Sequence, residues 1–261
     1  MYPPIKYDSA LTLAVFDTML LLGDKNPLKV FLISYNMQTL FIEARSSQDL
    51  IPAIRANLST LKKFKTIGLF TTVQHIGEFE KAKDFLEKNN VKILTGKSKK
   101  SVSCQGPCSF YTSQILGCDA SAAKNLNVDS YVYIGTGEFH PIAIALETDK
   151  SVFKLNPITR RLEQISQQDK RKFLARKAAR LDKLNHSKKI GIILSTKPGQ
   201  YKPKLAEKLN KKFKNSYVFI SDMITASDLL NFPDIDCWIN TACPRLIEDS
   251  WPKTFVNADW I

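Results

Sequence analysis

"KTIGLFTTVQHIGEFEKAKDFLE" occupies residues 65–87, and "KKIGIILSTKPGQYKPKLAEKLN" occupies residues 188–210. Each is a lysine-led Ile-Gly strand pattern, then a polar turn, then apolar residues at helical spacing. A second pair echoes the first. "VDSYVYIGTG" (128–137) and "IDCWINTACP" (235–244) both run from an acidic residue through a short apolar strand into a turn of small residues. The chain therefore holds at least two copies of one α/β module. Strands separated by single helices predict Rossmann-like modules with mostly parallel sheets and right-handed crossovers. The middle module is placed at residues 30–187, ending in a long connecting helix, and the last at 188–261.

Working outward, VFLIS (30–34) reads as a buried strand with a further apolar run at 39–42. Ser46 to Asp49 read as an N-cap with an acidic third residue, opening a helix over 50–61 with Pro52 in its first turns. Strands are predicted at 67–72, 91–94, 130–134, 190–195, 217–220 and 237–240. Helices are predicted at 77–88, with Phe79, Ala82, Phe85 and Leu86 on one face, and at 202–213. A long basic helix runs from Ser166 to about Asn185, with Phe173, Leu174, Ala178, Leu181 and Leu184 as its stripe. Ligands of open α/β sheets collect beyond the carboxyl ends of strands. The turns at 135–140 and 241–245 lie there.

The composition is that of a soluble globular chain, 44% hydrophobic and 24% charged. The longest apolar run, 11–22, is interrupted by Thr12, Asp17 and Thr18, too short for a membrane span. No secretion signal is apparent, and the reading is cytoplasmic. The formal charge is +13, concentrated near 62–65, 97–100, 170–189 and 202–214. Such a surface suits nucleic acid or an acidic protein partner, or simply reflects a lysine-rich composition. No aromatic residues interleave with the lysines as a stacking platform, so direct nucleic-acid binding is not expected.

Three of the five cysteines, Cys104, Cys108 and Cys118, crowd one stretch. A disulfide knot, a zinc site, a metal-cluster site and plain buried thiols are the alternatives. A reducing compartment disfavours the first, and the spacing fits no zinc finger or ribbon. No P-loop or dinucleotide fingerprint is present. Cys237, inside an apolar strand, reads as a small buried hydrophobe. Cys243 reads differently: it follows a strand, Pro244 ends regular pairing, and Arg245 brings a charge suited to holding a thiolate. His140 and His75 are turn histidines on the residues alone.

"TVQH" (72–75), "SQILGCD" (113–119), "SYVYIGTGEFHPIAIAL" (130–146), "STKPGQ" (195–200) and "NTACPRLIED" (240–249) occur in one order. Together they resemble the diphthamide synthesis enzyme family, the archaeal 2-(3-amino-3-carboxypropyl)histidine synthases. The resemblance implies three modules, each giving one cysteine to a [4Fe–4S] cluster that binds S-adenosylmethionine. A 3-amino-3-carboxypropyl radical is then transferred to a histidine of translation elongation factor 2, the first step of diphthamide synthesis. On this chain it implies Cys118 and Cys243 as cluster ligands; thiolates are the usual iron–sulfur ligands. Gly135, Gly137, His140, Lys197, Gln200 and Arg245 would line the S-adenosylmethionine pocket, with Arg245 the stronger partner for the cofactor carboxylate, oriented by Asp249. No general base is demanded, because the hard chemistry belongs to cluster and cofactor.

The departure from the family lies at the front. Residues 1–29 read as the remnant of a first module, and no cysteine precedes Cys104. The third ligand is expected from a chain carrying the first module, from a homologous subunit, or from Cys104 or Cys108, which otherwise have no assigned role. An electron donor is a further expected partner. The basic runs at 97–100 and 170–189 would guide the elongation factor. The alternative reading is a non-catalytic partner subunit of a paralogous diphthamide enzyme.

Overall fold

The computed structural model describes residues 20–22, 42–98 and 110–261. The strand expected at 30–34, residues 39–41 of the apolar run behind it, Cys104 and Cys108, and all of 1–29 except Leu20–Leu22 lie outside these residues. In chain order the elements are β1 (Leu20–Leu22), α1 (Ile51–Ala56), α2 (Leu58–Leu61), β2 (Thr66–Thr71), α3 (Phe79–Lys88), β3 (Lys92–Leu94), β4 (Ser130–Ile134), α4 (Phe139–Glu147), β5 (Ser151–Leu155) and β6 (Leu162–Gln164). Then follow α5 (Gln167–Asn185), β7 (Ile190–Ser195), α6 (Pro203–Lys212), β8 (Ser216–Ser221), α7 (Ala226–Leu230), β9 (Cys237–Asn240) and β10 (Thr254–Asn257). Short 3-10 turns occupy Val73–Glu78 and Pro244–Glu248.

Two compact units form. The middle unit comprises Ile42–Asp182 with Cys243–Asp249; the C-terminal unit comprises Lys183–Ala242 and Ser250–Ile261, and is joined by β1. This partition is not the linear division into 1–29, 30–187 and 188–261. Cys243–Asp249 groups with the middle unit although it follows β9 in the chain.

The middle unit carries a sheet of order β3-β2-β4-β5-β6, and the C-terminal unit one of order β1-β8-β7-β9-β10. In both, the four strands of the repeated module are parallel, and an antiparallel strand closes one edge: β6 on β5, and β1 on β8. The Ile-Gly pattern has a packing cause. Gly68 is in register with Tyr131, and Gly191 with Trp238. In each case the neighbouring aromatic ring lies where a glycine Cβ would project. A side chain at either glycine would overpack a fully buried ring.

Around the middle sheet, Leu50, Ile54, Leu61, Phe79, Ala82 and Leu86 pack one face beneath α1, α2 and α3. Phe70, Ile115, Tyr131, Tyr133 and Ile144 pack the other.

The expected helix over 50–61 is two helices. Asn57 leaves helical geometry at φ −115°, ψ 10°, and its Nδ2 donates to the carbonyls of Ala53 (2.9 Å) and Arg160 (2.8 Å). A side chain that bonds the backbone four residues back competes with the helix. The start is also later than predicted: Asp49 Oδ1 accepts from the Ile51 N–H at 2.9 Å, and Ser46 closes a turn of its own on Gln48. Helix α3 likewise begins two residues late, after the 3-10 turn. In α5 the Ser166–Asp169 capping box is present, with Asp169 N–H donating to Ser166 Oγ at 3.1 Å and Ser166 N–H to Asp169 Oδ2 at 3.1 Å. Its predicted apolar stripe buries only Leu184, and Leu174 is exposed. No described helix is long and apolar enough to cross a membrane.

Candidate functional site

Strand order locates the site. From β2 the chain crosses to β3 on one side, then to β4 on the other; from β7 it crosses to β8 and then to β9. Where successive crossovers leave in opposite directions, a crevice opens at the carboxyl edge of the sheet. In the middle unit that crevice is flanked by the turn after β2, carrying Thr72 and His75, and the turn after β4, carrying Gly135, Gly137 and His140. In the C-terminal unit it is flanked by the turn after β7, carrying Lys197 and Gln200, and the turn that leaves β9 at Thr241.

The floor of the middle crevice is Tyr133. It is buried, and its hydroxyl is hydrogen-bonded to the Thr72 side chain; burial pushes the phenol up to about 12, against the opposing pull of Thr72 and the Arg245 charge. The phenol lies over Gly135, where a Cβ would strike it. His140 stacks on the Tyr133 ring, with centroids 5.7 Å apart and planes inclined by 15°. Burial, then the Arg245 charge, pushes His140 down to about 4, so the imidazole is neutral at physiological pH. Gly137 has φ +76°, with open space where a Cβ would lie. This left-handed turn favours glycine and keeps the crevice mouth unobstructed.

Both cysteine loops come to this place. Gly117 has the Phe139 ring where its Cβ would project, so the Gly117-Cys118 backbone lies directly against the residue preceding His140. Arg245, two residues after Cys243, acts electrostatically on both His140 and Tyr133. Cys118 is exposed and Cys243 half-buried, whereas Cys237 is wholly buried and its thiol is pushed up to about 12 by that burial. Two thiols are thus accessible for ligation beside one crevice, and Cys237 is excluded. Among the described residues no group of three or more His, Cys, Asp or Glu could hold a metal ion. Thiolates are the usual iron–sulfur ligands, and Cys118 and Cys243 are the two thiols among the described residues that are not fully buried.

Arg245 has a different carboxylate neighbour from the one expected: its Nε lies 3.6 Å from Glu248, the exposed residue one helical turn ahead, not from Asp249. Lys197 and Gln200 belong to the other unit. Lys197 Nζ donates to Met223 Sδ at 3.1 Å, and the Gln200 N–H donates to the Lys197 carbonyl at 2.9 Å. His75 is buried, its two ring nitrogens have no hydrogen-bond partner among the described residues, and burial lowers its pKa. Sequence reasoning did not single out Tyr133, Thr72, Phe139 or Lys154. Lys154, on β5, reaches Glu163 at 2.9 Å and Glu138 at 3.5 Å, tethering the turn that carries His140. A lysine at an inward strand position is the one signal that marked it. A cavity of about 400 Å³ in the C-terminal unit, lined by Tyr217, Phe219 and Phe232, lies at the amino ends of its strands, away from these motifs.

A family model for diphthamide synthesis proteins matches residues 17–257. Among curated proteins, the chain is 29% identical over 218 residues to the 2-(3-amino-3-carboxypropyl)histidine synthase of Pyrococcus horikoshii, covering 82% of this chain and 60% of that protein. It is 34% identical over 147 residues to the synthase of the same name from Methanocaldococcus jannaschii, covering 54% and 42%. It is 28% identical over 238 residues to subunit 1 of that synthase from Schizosaccharomyces pombe, covering 89% and 51%. The crystal structure of Dph2 from Pyrococcus horikoshii with a 4Fe–4S cluster superposes with a TM-score of 0.71 at 27% identity, covering 83% of this chain and 62% of that one. The chain spans about 60% of the length of the first of these relatives. With a family model matched over residues 17–257 and an α/β fold shared with a solved relative, the chain belongs to the diphthamide synthesis protein family.

Proposed function

We propose that this chain takes part in the first step of diphthamide synthesis, transfer of a 3-amino-3-carboxypropyl group from S-adenosylmethionine to a histidine of translation elongation factor 2. The observation that carries the reading is the meeting of the Cys118 and Cys243 loops at Phe139 and His140. Cys118 and Cys243 would hold a [4Fe–4S] cluster, with a third thiolate from a first module on a longer or separate chain, or from Cys104 or Cys108. When bound, the cluster supplies the electron for reductive cleavage of the sulfonium and, with it, the radical character of the transfer.

The chain's own residues then bind and orient. Gly135 and Gly137 let the cofactor approach the backbone closely. Arg245, exposed at the crevice, meets the cofactor carboxylate, since a guanidinium binds carboxylate through two parallel hydrogen bonds. His140 is held flat and uncharged on Tyr133, so it adds no positive charge to that of Arg245 in the crevice. Lys197 and Gln200, in the turn after β7, would have a cofactor-binding role at the strand ends of the last module. The partners are the elongation factor, the chain or subunit completing the ligand set, and an electron donor, in the cytoplasm.

The test is anaerobic reconstitution with iron and sulfide, with and without a chain carrying the first module, followed by transfer of labelled group from S-adenosylmethionine to elongation factor 2. The chain alone should bind iron substoichiometrically and transfer nothing; the completed assembly should bind iron fully and transfer the group. Cys118→Ala and Cys243→Ala should each abolish iron binding, and Cys237→Ala should not. Full iron in both single variants would overturn the ligand assignment. A completed assembly in which this chain's thiols are dispensable for transfer would make it a non-catalytic partner subunit.

A further inference from the structure

Arg180 lies on α5 among exposed basic residues, yet it is half-buried. Burial lowers its guanidinium pKa, and Arg176, one helical turn earlier, lowers it further; no carboxylate among the described residues acts against either. Taking a guanidinium out of water beside another cation is unfavourable unless its donors find good acceptors. Its Nη1 donates to the backbone carbonyl of Ile247 at 3.2 Å. That carbonyl is in the last turn of the 3-10 segment Pro244–Glu248, where terminal carbonyls have no partner within the turn and carry the negative end of its dipole.

The same segment begins at Cys243, its N-cap, whose carbonyl accepts the Leu246 N–H at 3.1 Å. Pro244, at the first position, has no N–H to donate. The Ile247 side chain is buried, while the Arg245–Glu248 pair is exposed at 3.6 Å, and an exposed pair of that kind holds little. A tie from outside the segment thus comes from Arg180, and Arg180 and Cys243–Asp249 both belong to the middle unit.

We propose that Arg180 is a positioning residue: by holding the backbone of the 3-10 segment through Ile247, it sets where the Cys243 thiol stands. The inference rests on the reading of Cys243 as a cluster ligand. Its test uses the full chain without metal. The alkylation rates of Cys243 and Cys118 by iodoacetamide are compared by peptide mass spectrometry in the native chain, Arg180→Met and Arg180→Lys, with thermal midpoints measured alongside.

Arg180→Met should raise the Cys243 rate relative to Cys118 by about tenfold, near the low end of what one charge-assisted hydrogen bond is worth. Arg180→Lys retains a donor and should return part of the way. An unchanged Cys243 rate, or equal rises at both cysteines, overturns the inference, the second because it reports general loosening. Iron per chain in the completed assembly separates the two readings. If Cys243→Ala keeps full iron, the ligand assignment fails whatever the alkylation shows. If Cys243→Ala loses iron while Arg180→Met changes neither iron nor alkylation, the positioning role alone fails.

Discussion

The two units share strand order and the glycine-under-aromatic packing, and they differ at the position where each third strand meets its loop. Aligned on the glycine registers, Tyr133 of β4 corresponds to Asn240 of β9. Tyr133 is a platform: its ring carries His140 and its hydroxyl reaches Thr72. Asn240 is a lock: its Nδ2 donates to Asn257 Oδ1 at 2.8 Å, and its Oδ1 accepts the Ala242 N–H at 2.9 Å. One scaffold thus presents an aromatic surface to a crevice in the middle unit and, in the C-terminal unit, pins the backbone at Ala242, where the chain leaves β9. The general lesson is that module repeats conserve what the sheet requires and diverge just beyond the strand end, where ligands bind.

The comparison can be broken most directly at Asn240. Asn240→Ala removes two buried hydrogen bonds and leaves Asn257 Oδ1 without this donor, so it should cost about 3 kcal/mol, measured by urea unfolding. A loss below about 1 kcal/mol, the scale of one ordinary net hydrogen bond, would show that the loop is held by other contacts. The shared feature is tested by Gly68→Ala and Gly191→Ala, each driving a Cβ into a fully buried ring. Both should destabilise by about 2 kcal/mol, and by similar amounts if the units are packed alike. A neutral effect at one of them would end the equivalence.

The middle unit should respond to mild acid chiefly through His140, with buried His75 acting in the same direction. Its folded pKa, about 4, is below the ordinary value, so the folded state prefers the neutral ring. That contribution is fully present above about pH 6.5 and is lost as pH falls toward 4. Stability should drop by about 1–2 kcal/mol between pH 7 and 5, and His140→Phe should flatten this part of the profile. An unaltered profile would place the acid sensitivity elsewhere. The smallest effect is expected from Lys154→Met. Both carboxylate partners are largely exposed, with side-chain exposures of 65% for Glu138 and 51% for Glu163, so losing the pairs should cost under about 1 kcal/mol. Amide exchange in the turn at 135–138 should nevertheless speed up; if it does not, Lys154 is no tether.

Strand identity was legible in the sequence because it depends on local pattern. The apolar runs at 130–134, 190–195 and 237–240 are β4, β7 and β9 to the residue, and the repeat of Ile-Gly strands announced two similar sheets. The helix break at Asn57 was not legible, since the residue takes its conformation from a bond to Arg160, far along the chain.

For the site, residue context marked Cys243 and Arg245, the family resemblance carried by the five motifs marked Cys118 and His140, and buried apolar context alone marked Cys237 as inert. Tertiary structure decided the rest. It put Gly117 against Phe139, His140 flat on Tyr133, Glu248 beside Arg245, and Arg180 under the Ile247 carbonyl. Each of these depends on which strand ends and helix faces are neighbours. Neighbourhood across a sheet is set by the order in which crossovers leave each strand, a property of the folded chain that no local spacing encodes.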